Sequence, residues 1–115
     1  MEELLEALRK FRDERDWAKF HTPKDLAVSI SVEAGELLEL FQWRPEGHDI
    51  AGIDVRDVAN EAADVLIYVL LLFERLGLDP RQELLNKIAR NADRFPVEKS
   101  FGVPSAFMKR LNRQR

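Results

Sequence analysis

Apolar residues in this chain recur every three or four positions, and no stretch of Val, Ile or Thr alternates with polar residues at a period of two. The first spacing is that of helices buried on one face; the second, which is absent, would be that of strands. Leu4, Leu8 and Phe11 form one stripe and predict a first helix from about Glu2 to Ala18. Thr22-Pro23-Lys24-Asp25 reads as a cap, a first-turn proline and an acid closing a capping box, so a second helix should follow to about Trp43, stopped by Arg44-Pro45-Glu46-Gly47. Asp54 can cap a third helix, running to Leu76 and ending at Gly77, and Asp79-Pro80-Arg81-Gln82 opens a fourth that ends before Pro96. Pro104 to Arg113 reads as a short fifth helix or a loose tail, and Pro45 to Ile53 as the longest connection. The expected architecture is all-α: a four-helix bundle over about residues 2–96, in one domain spanning 1–115, with 97–115 a short C-terminal helix or tail.

The third helix is apolar all round between Val65 and Phe73. Such a helix must be covered on every side, and so small a domain has few neighbours to do it. A partner subunit is the expected cover, near Leu70 and Leu71. Each Leu buried this way contributes roughly 1.5–3 kcal/mol.

Within these apolar stretches stand four carboxylates. Glu33 and Glu36 lie three apart on the second helix, Glu61 and Asp64 three apart on the third. Residues at that spacing share a helix face. On a helical wheel Glu33 is surrounded by Leu26, Ile30, Leu37 and Leu40, and Glu61 by Val58, Val65, Tyr68 and Leu72. Ionised carboxylates are rarely buried unpaired, because desolvation costs several kcal/mol per ion. Two such pairs facing one core call for added positive charge, and hard oxygen ligands suit Mg²⁺ or Mn²⁺. Gly35, inside the second helix, reads as a point where a neighbouring helix or a ligand comes close.

Composition narrows the chemistry. The 115 residues contain no cysteine, which excludes disulfides, thiolate metal sites and cysteine catalysis. A net charge of -3 gives no reason to expect a nucleic-acid polymer as partner. The acidic Met-Glu-Glu-Leu-Leu-Glu start is not a signal peptide, and the longest apolar run, Val65 to Phe73, is too short to span a bilayer. A cytoplasmic protein without a membrane partner is expected. There is neither a Ser-His-Asp set nor a glycine-rich phosphate loop.

On the fourth helix, Lys87, Asn91 and Arg94 make one basic, polar face, suited to a phosphate ligand or simply to the helix dipole. Trp17, Phe20 and His21 cluster at the end of the first helix, Trp43 closes the second, and Tyr68 lies one turn after Asp64. Such rings can stack on a nucleobase, each contact contributing roughly 1–3 kcal/mol, or serve as core. His21 reads as a hydrogen-bonded structural histidine rather than a metal ligand.

Taken together, Arg15-Asp16-Trp17, Phe20-His21-x-Pro23, Glu33-x-x-Glu36-Leu37, Glu39-Leu40-Phe41-Gln42-Trp43, Asp64-Val65-Leu66-Ile67-Tyr68 and Lys87-x-x-x-Asn91-x-x-Arg94-Phe95-Pro96 resemble the MazG-like all-α nucleoside triphosphate pyrophosphohydrolases, in particular their dCTP pyrophosphatase branch. The resemblance covers about residues 11–96. It implies that Glu33, Glu36, Glu61 and Asp64 bind Mg²⁺ and carry catalysis. It also implies that Lys87, Asn91 and Arg94 contact phosphates, and that Trp17, His21, Trp43 and Tyr68 line the base and sugar pocket. The implied reaction converts a nucleoside triphosphate, dCTP-like or non-standard, to the monophosphate and pyrophosphate, in a homodimer or homotetramer. The preferred base, the number of metal ions and the carboxylate acting as general base stay open. The alternative is a non-catalytic helical oligomerisation module; a di-iron bundle would need Glu-x-x-His motifs, which are absent.

Overall fold

The computed structural model describes residues 1–44 and 50–106. Its helices are α1 (Glu2–Glu14), a 3₁₀ turn (Ala18–Phe20), α2 (Pro23–Glu39), α3 (Val55–Arg75), α4 (Pro80–Arg94) and α5 (Val97–Ser100), and no strand occurs among the described residues. The all-α expectation is met. Residues 45–49 of the loop between α2 and α3, and most of the Pro104–Arg113 segment, lie outside the described residues. No helix is long and apolar enough to cross a membrane.

The chain divides into two compact units, Met1–Asp79 and Pro80–Arg115. In the first, α3 packs chiefly on α2 and also meets α1. Leu5 and Leu8 of α1, Leu26 of α2 and Leu70 and Leu71 of α3 form its core. Leu70 and Leu71, near which a partner was expected, are 2% and 6% exposed within the chain itself. The uncovered side of α3 lies elsewhere, at Leu66 (51% exposed) and Ile67. The stripe of α1 is shifted likewise: Leu5 and Leu8 are buried, whereas Leu4 and Phe11 are half open and border an apolar cavity of about 370 Å³ with Leu66 and Ile67.

Caps fix where the helices begin. Thr22 Oγ1 accepts the Asp25 backbone N–H at 3.1 Å, and Asp54 Oδ1 accepts that of Arg56 at 2.8 Å. At the other end, α1 stops at Glu14, earlier than the expected Ala18. Asp16 adopts a left-handed conformation (φ 53°), with Asp16 N–H bonded to Asp13 O and Trp17 N–H to Arg12 O, each at 3.1 Å. This is the Schellman closure with aspartate in the place glycine usually holds. At the end of α3 the same pair of bonds is built around Gly77. The second helix also ends early, at Glu39 instead of Trp43. Phe41 N–H bonds Leu38 O and Arg44 N–H bonds Phe41 O, so the chain unwinds through i→i+3 turns ahead of Pro45.

In the second unit, α4 carries Leu84, Leu85 and Ile88 largely exposed, and Phe95 N–H closes its end on Asn91 O at 2.8 Å.

Candidate active site

Packing α2 against α3 brings the two acid pairs together. One carboxylate oxygen each from Glu33, Glu61 and Asp64 lie within 4.8 Å of one another. Glu36 lies beside them, close enough to act on both Glu33 and Glu61. The Glu33 carboxyl is held above its usual range, first by sharing a hydrogen bond with Glu36, then by loss of water and by the charges of Glu36, Asp64 and Glu61. Glu61 is raised too, first by loss of water, then by the Glu36 hydrogen bond and by the charges of Glu36, Asp64 and Glu39. Thus the groups acting most strongly on both acids are other carboxylates.

Glu33 Oε2 and Glu61 Oε2 are buried and have no hydrogen-bond partner. Orphaned acceptors of this kind are rare in folded proteins. Hard oxygen donors on two facing helices, with two lone-pair sites left empty, fit a divalent cation. At Gly35 no neighbouring helix among the described residues comes close: a Cβ built there meets nothing within 4 Å.

Beside the acids opens a cavity of about 210 Å³, walled by Phe11, Trp17, His21, Tyr68, Arg12 and Asp64, among others. Asp64 belongs to both the cavity wall and the acid cluster. The left-handed turn at Asp16 releases Trp17 from the helix, so that its ring meets Phe11 edge-to-face, with centroids 5.6 Å apart. The Arg15 guanidinium lies 3.9 Å over the Phe11 ring. His21 Nδ1 is buried without a partner, so this histidine is not the hydrogen-bonded structural residue expected; its pKa is lowered by burial and then by the nearby Arg12 charge.

Of the residues singled out from sequence, Glu33, Glu36, Glu61 and Asp64 come together, and Trp17, His21 and Tyr68 share the neighbouring cavity. Trp43 stands in the turn after α2, 87% exposed, and does not line that cavity. Lys87, Asn91 and Arg94 follow one another along α4, with Arg94 over the Phe95 ring at 5.3 Å. Sequence reading passed over Glu39, which adds to the field at Glu61, and Arg12, which lines the cavity. Arg12 lies one turn after the buried Leu8, and a wheel of α1 would have placed it on the inward stripe.

The model of the MazG-like family matches residues 28–109, and the chain belongs to that family. It is 38% identical to dCTP pyrophosphatase 1 of Bos taurus over 106 residues, which cover 89% of this chain and 63% of that protein. Over 101 residues it is 37% identical to dCTP pyrophosphatase 1 of Homo sapiens, covering 84% and 59% respectively. The chain thus spans somewhat less than two thirds of the curated relatives it matches. The crystal structure of a pyrophosphatase from Archaeoglobus fulgidus superposes with a TM-score of 0.76 at 46% identity, covering 84% of this chain and 92% of that one.

Proposed function

We propose that this protein is a Mg²⁺-dependent nucleoside triphosphate pyrophosphohydrolase, acting on dCTP or a related nucleotide. The observation that carries this reading is the convergence of Glu33, Glu61 and Asp64, with two buried carboxylate oxygens left unpartnered. Family membership and the dCTP pyrophosphatase relatives support the same reaction class.

In this reading Glu33, Glu36, Glu61 and Asp64 hold the cation. When bound, a divalent cation polarises the α-phosphoryl group and offsets the charge of the phosphate tail. A carboxylate not fully engaged in binding takes a proton from water as the water oxygen bonds to the α-phosphorus. The bond from the α-phosphorus to the bridging oxygen breaks, and pyrophosphate leaves. Trp17, His21 and Tyr68 receive the base and sugar in the cavity beside Asp64, with Trp43 as a further ring. Lys87, Asn91 and Arg94 contact the phosphates. Mn²⁺ has the same preference for oxygen ligands and would substitute.

The working form is a homodimer or homotetramer. Support comes from Leu4, Phe11, Leu66 and Ile67, apolar and partly open around one cavity, an arrangement usually found at protein interfaces. Pyrophosphate release from a panel of nucleoside triphosphates, with and without Mg²⁺, tests the reaction. A wild-type protein inert toward the whole panel in Mg²⁺ would refute it.

A further inference from the structure

Behind the aromatic cavity lies a second, more polar one of about 240 Å³, lined by Arg12, Ala18, His21, Leu71, Glu74 and Arg75. Arg12 and His21 line both, so together they form the shared wall. The Arg12 side chain is only 19% exposed. Its Nε–H donates to Asp13 Oδ1 at 2.8 Å, which fixes one edge of the guanidinium. No hydrogen bond among the described residues engages its two Nη groups. Glu74, itself bonded to Arg9 at 2.8 Å, adds a favourable charge beside Arg12 from the rear cavity. The wall thus offers a planar guanidinium held at one edge by Asp13, with no hydrogen bond among the described residues at its two Nη groups.

We propose that Arg12 is a specificity-determining residue of the proposed nucleotide site, reading the edge of a pyrimidine that carries two adjacent hydrogen-bond acceptors. The inference rests on the pyrophosphohydrolase reading and deepens it. A guanidinium fork with two parallel N–H groups matches two neighbouring acceptors and is poorly satisfied by any other pattern. Cytosine presents N3 and O2 side by side. Uracil and thymine interpose an N–H between their two carbonyls and would place a donor against the fork. A base lying along Trp17 and Tyr68 therefore meets, at the end of its slot, a group that accepts cytosine and disfavours thymine. The unpartnered His21 Nδ1 on the same wall is a second polar atom that a bound ligand can satisfy.

The test compares dCTP, 3-deaza-dCTP (in which N3 becomes a C–H) and dTTP. In the wild-type protein, kcat/KM for dCTP should exceed that for either of the other two by about ten-fold or more, the usual discrimination of one bidentate contact. In Arg12→Ala that gap should close, mostly through a higher KM for dCTP. Arg12→Lys should not restore it, because an ammonium keeps the charge without the fork. Equal losses for all three nucleotides in Arg12→Ala, or full discrimination in Arg12→Lys, would overturn the proposal. If Arg12→Ala fails to fold, the wild-type comparison decides alone: indifference to the loss of N3 overturns the base-reading role while leaving the hydrolase reading intact. A wild type that hydrolyses none of the three in Mg²⁺, or any other triphosphate, removes both.

Discussion

Glu61 and Glu74 sit on the same helix and are both half-buried, yet they live in opposite worlds. Glu74 has its cation supplied by the chain: Arg9 donates to it at 2.8 Å and to Glu2 at 3.0 Å, and the Glu74 carboxyl is held below its usual range, chiefly by the Arg9 hydrogen bond. Glu61 has carboxylates for neighbours, an unpartnered Oε2 and a raised pKa. One end of α3 carries its own counter-charge, and the other gathers like charges. The difference teaches how to tell a structural acid from a candidate ligand: burial is similar, and only the sign of the surroundings differs.

The comparison breaks most decisively at the acid cluster. Glu36→Gln or Asp64→Asn should lower turnover by more than about a hundred-fold, beyond the usual loss for residues that merely support a metal ligand. The fold should persist, and the metal-free variant should melt higher than metal-free wild type, because like charges are relieved. Circular dichroism with a pyrophosphate assay checks both, and activity surviving either change would remove the catalytic assignment.

Acidity separates the two ends of α3 by sign. A raised carboxyl holds its proton more tightly when folded, so the Glu33 and Glu61 contribution to stability falls as pH rises from the ordinary carboxylate range through their folded values. Glu74 does the opposite: its contribution is present above the ordinary range and is lost as pH falls through its lowered folded value. Urea titrations of the metal-free protein across the acid range should show Glu61→Gln flattening the first slope and Glu74→Gln the second. Saturating Mg²⁺ should reverse the behaviour of the first without touching the second.

The same contrast of partnered and unpartnered groups extends to the rings. Trp17 is braced by Phe11 and walls the cavity, so Trp17→Ala should raise the Michaelis constant by roughly ten- to a hundred-fold, the loss of one stacking contact. Trp43→Ala is expected to act in the same direction with no loss of melting temperature, since so exposed a ring adds nothing to this chain's core. Affinity unchanged in Trp43→Ala would take that ring out of the site. At Leu66→Glu, sedimentation should report a smaller species than wild type; a wild-type monomer at micromolar concentration would discard the oligomer. The smallest effect is expected at Gly35→Ala, where nothing stands in the way of a Cβ: a gain of up to about 1 kcal/mol in stability, read by denaturation.

Much of this was legible in the sequence because it depends on local rules. Thr22 and Asp54 announced α2 and α3, and both acid pairs fell together because i, i+3 spacing survives whatever the helices do next. The two Schellman turns show where legibility stops. Gly77 ends α3 where its residue type says it should, whereas Asp16 ends α1 with the same hydrogen bonds and no glycine to mark it. Aspartate tolerates the left-handed region, yet that tolerance is only a weak sign on the page. The inward choice of Leu5 over Leu4, and of Arg12 beside Leu8, follows from how α1 is rotated against α3, which periodicity leaves free by a fraction of a turn. The burial of Leu70 and Leu71 by this chain's own α1 and α2 was missed for the same reason.

The turn at Asp16 also gives the protein a built-in optical readout. It sets one indole against a phenylalanine edge at a cavity wall, while the other indole faces water after α2. Their emission should therefore separate, Trp17 toward shorter wavelengths and Trp43 near that of a free indole, with iodide quenching the red component first. Excitation near 295 nm then follows events at the cavity through one component and events at the turn after α2 through the other, without any label attached to the chain.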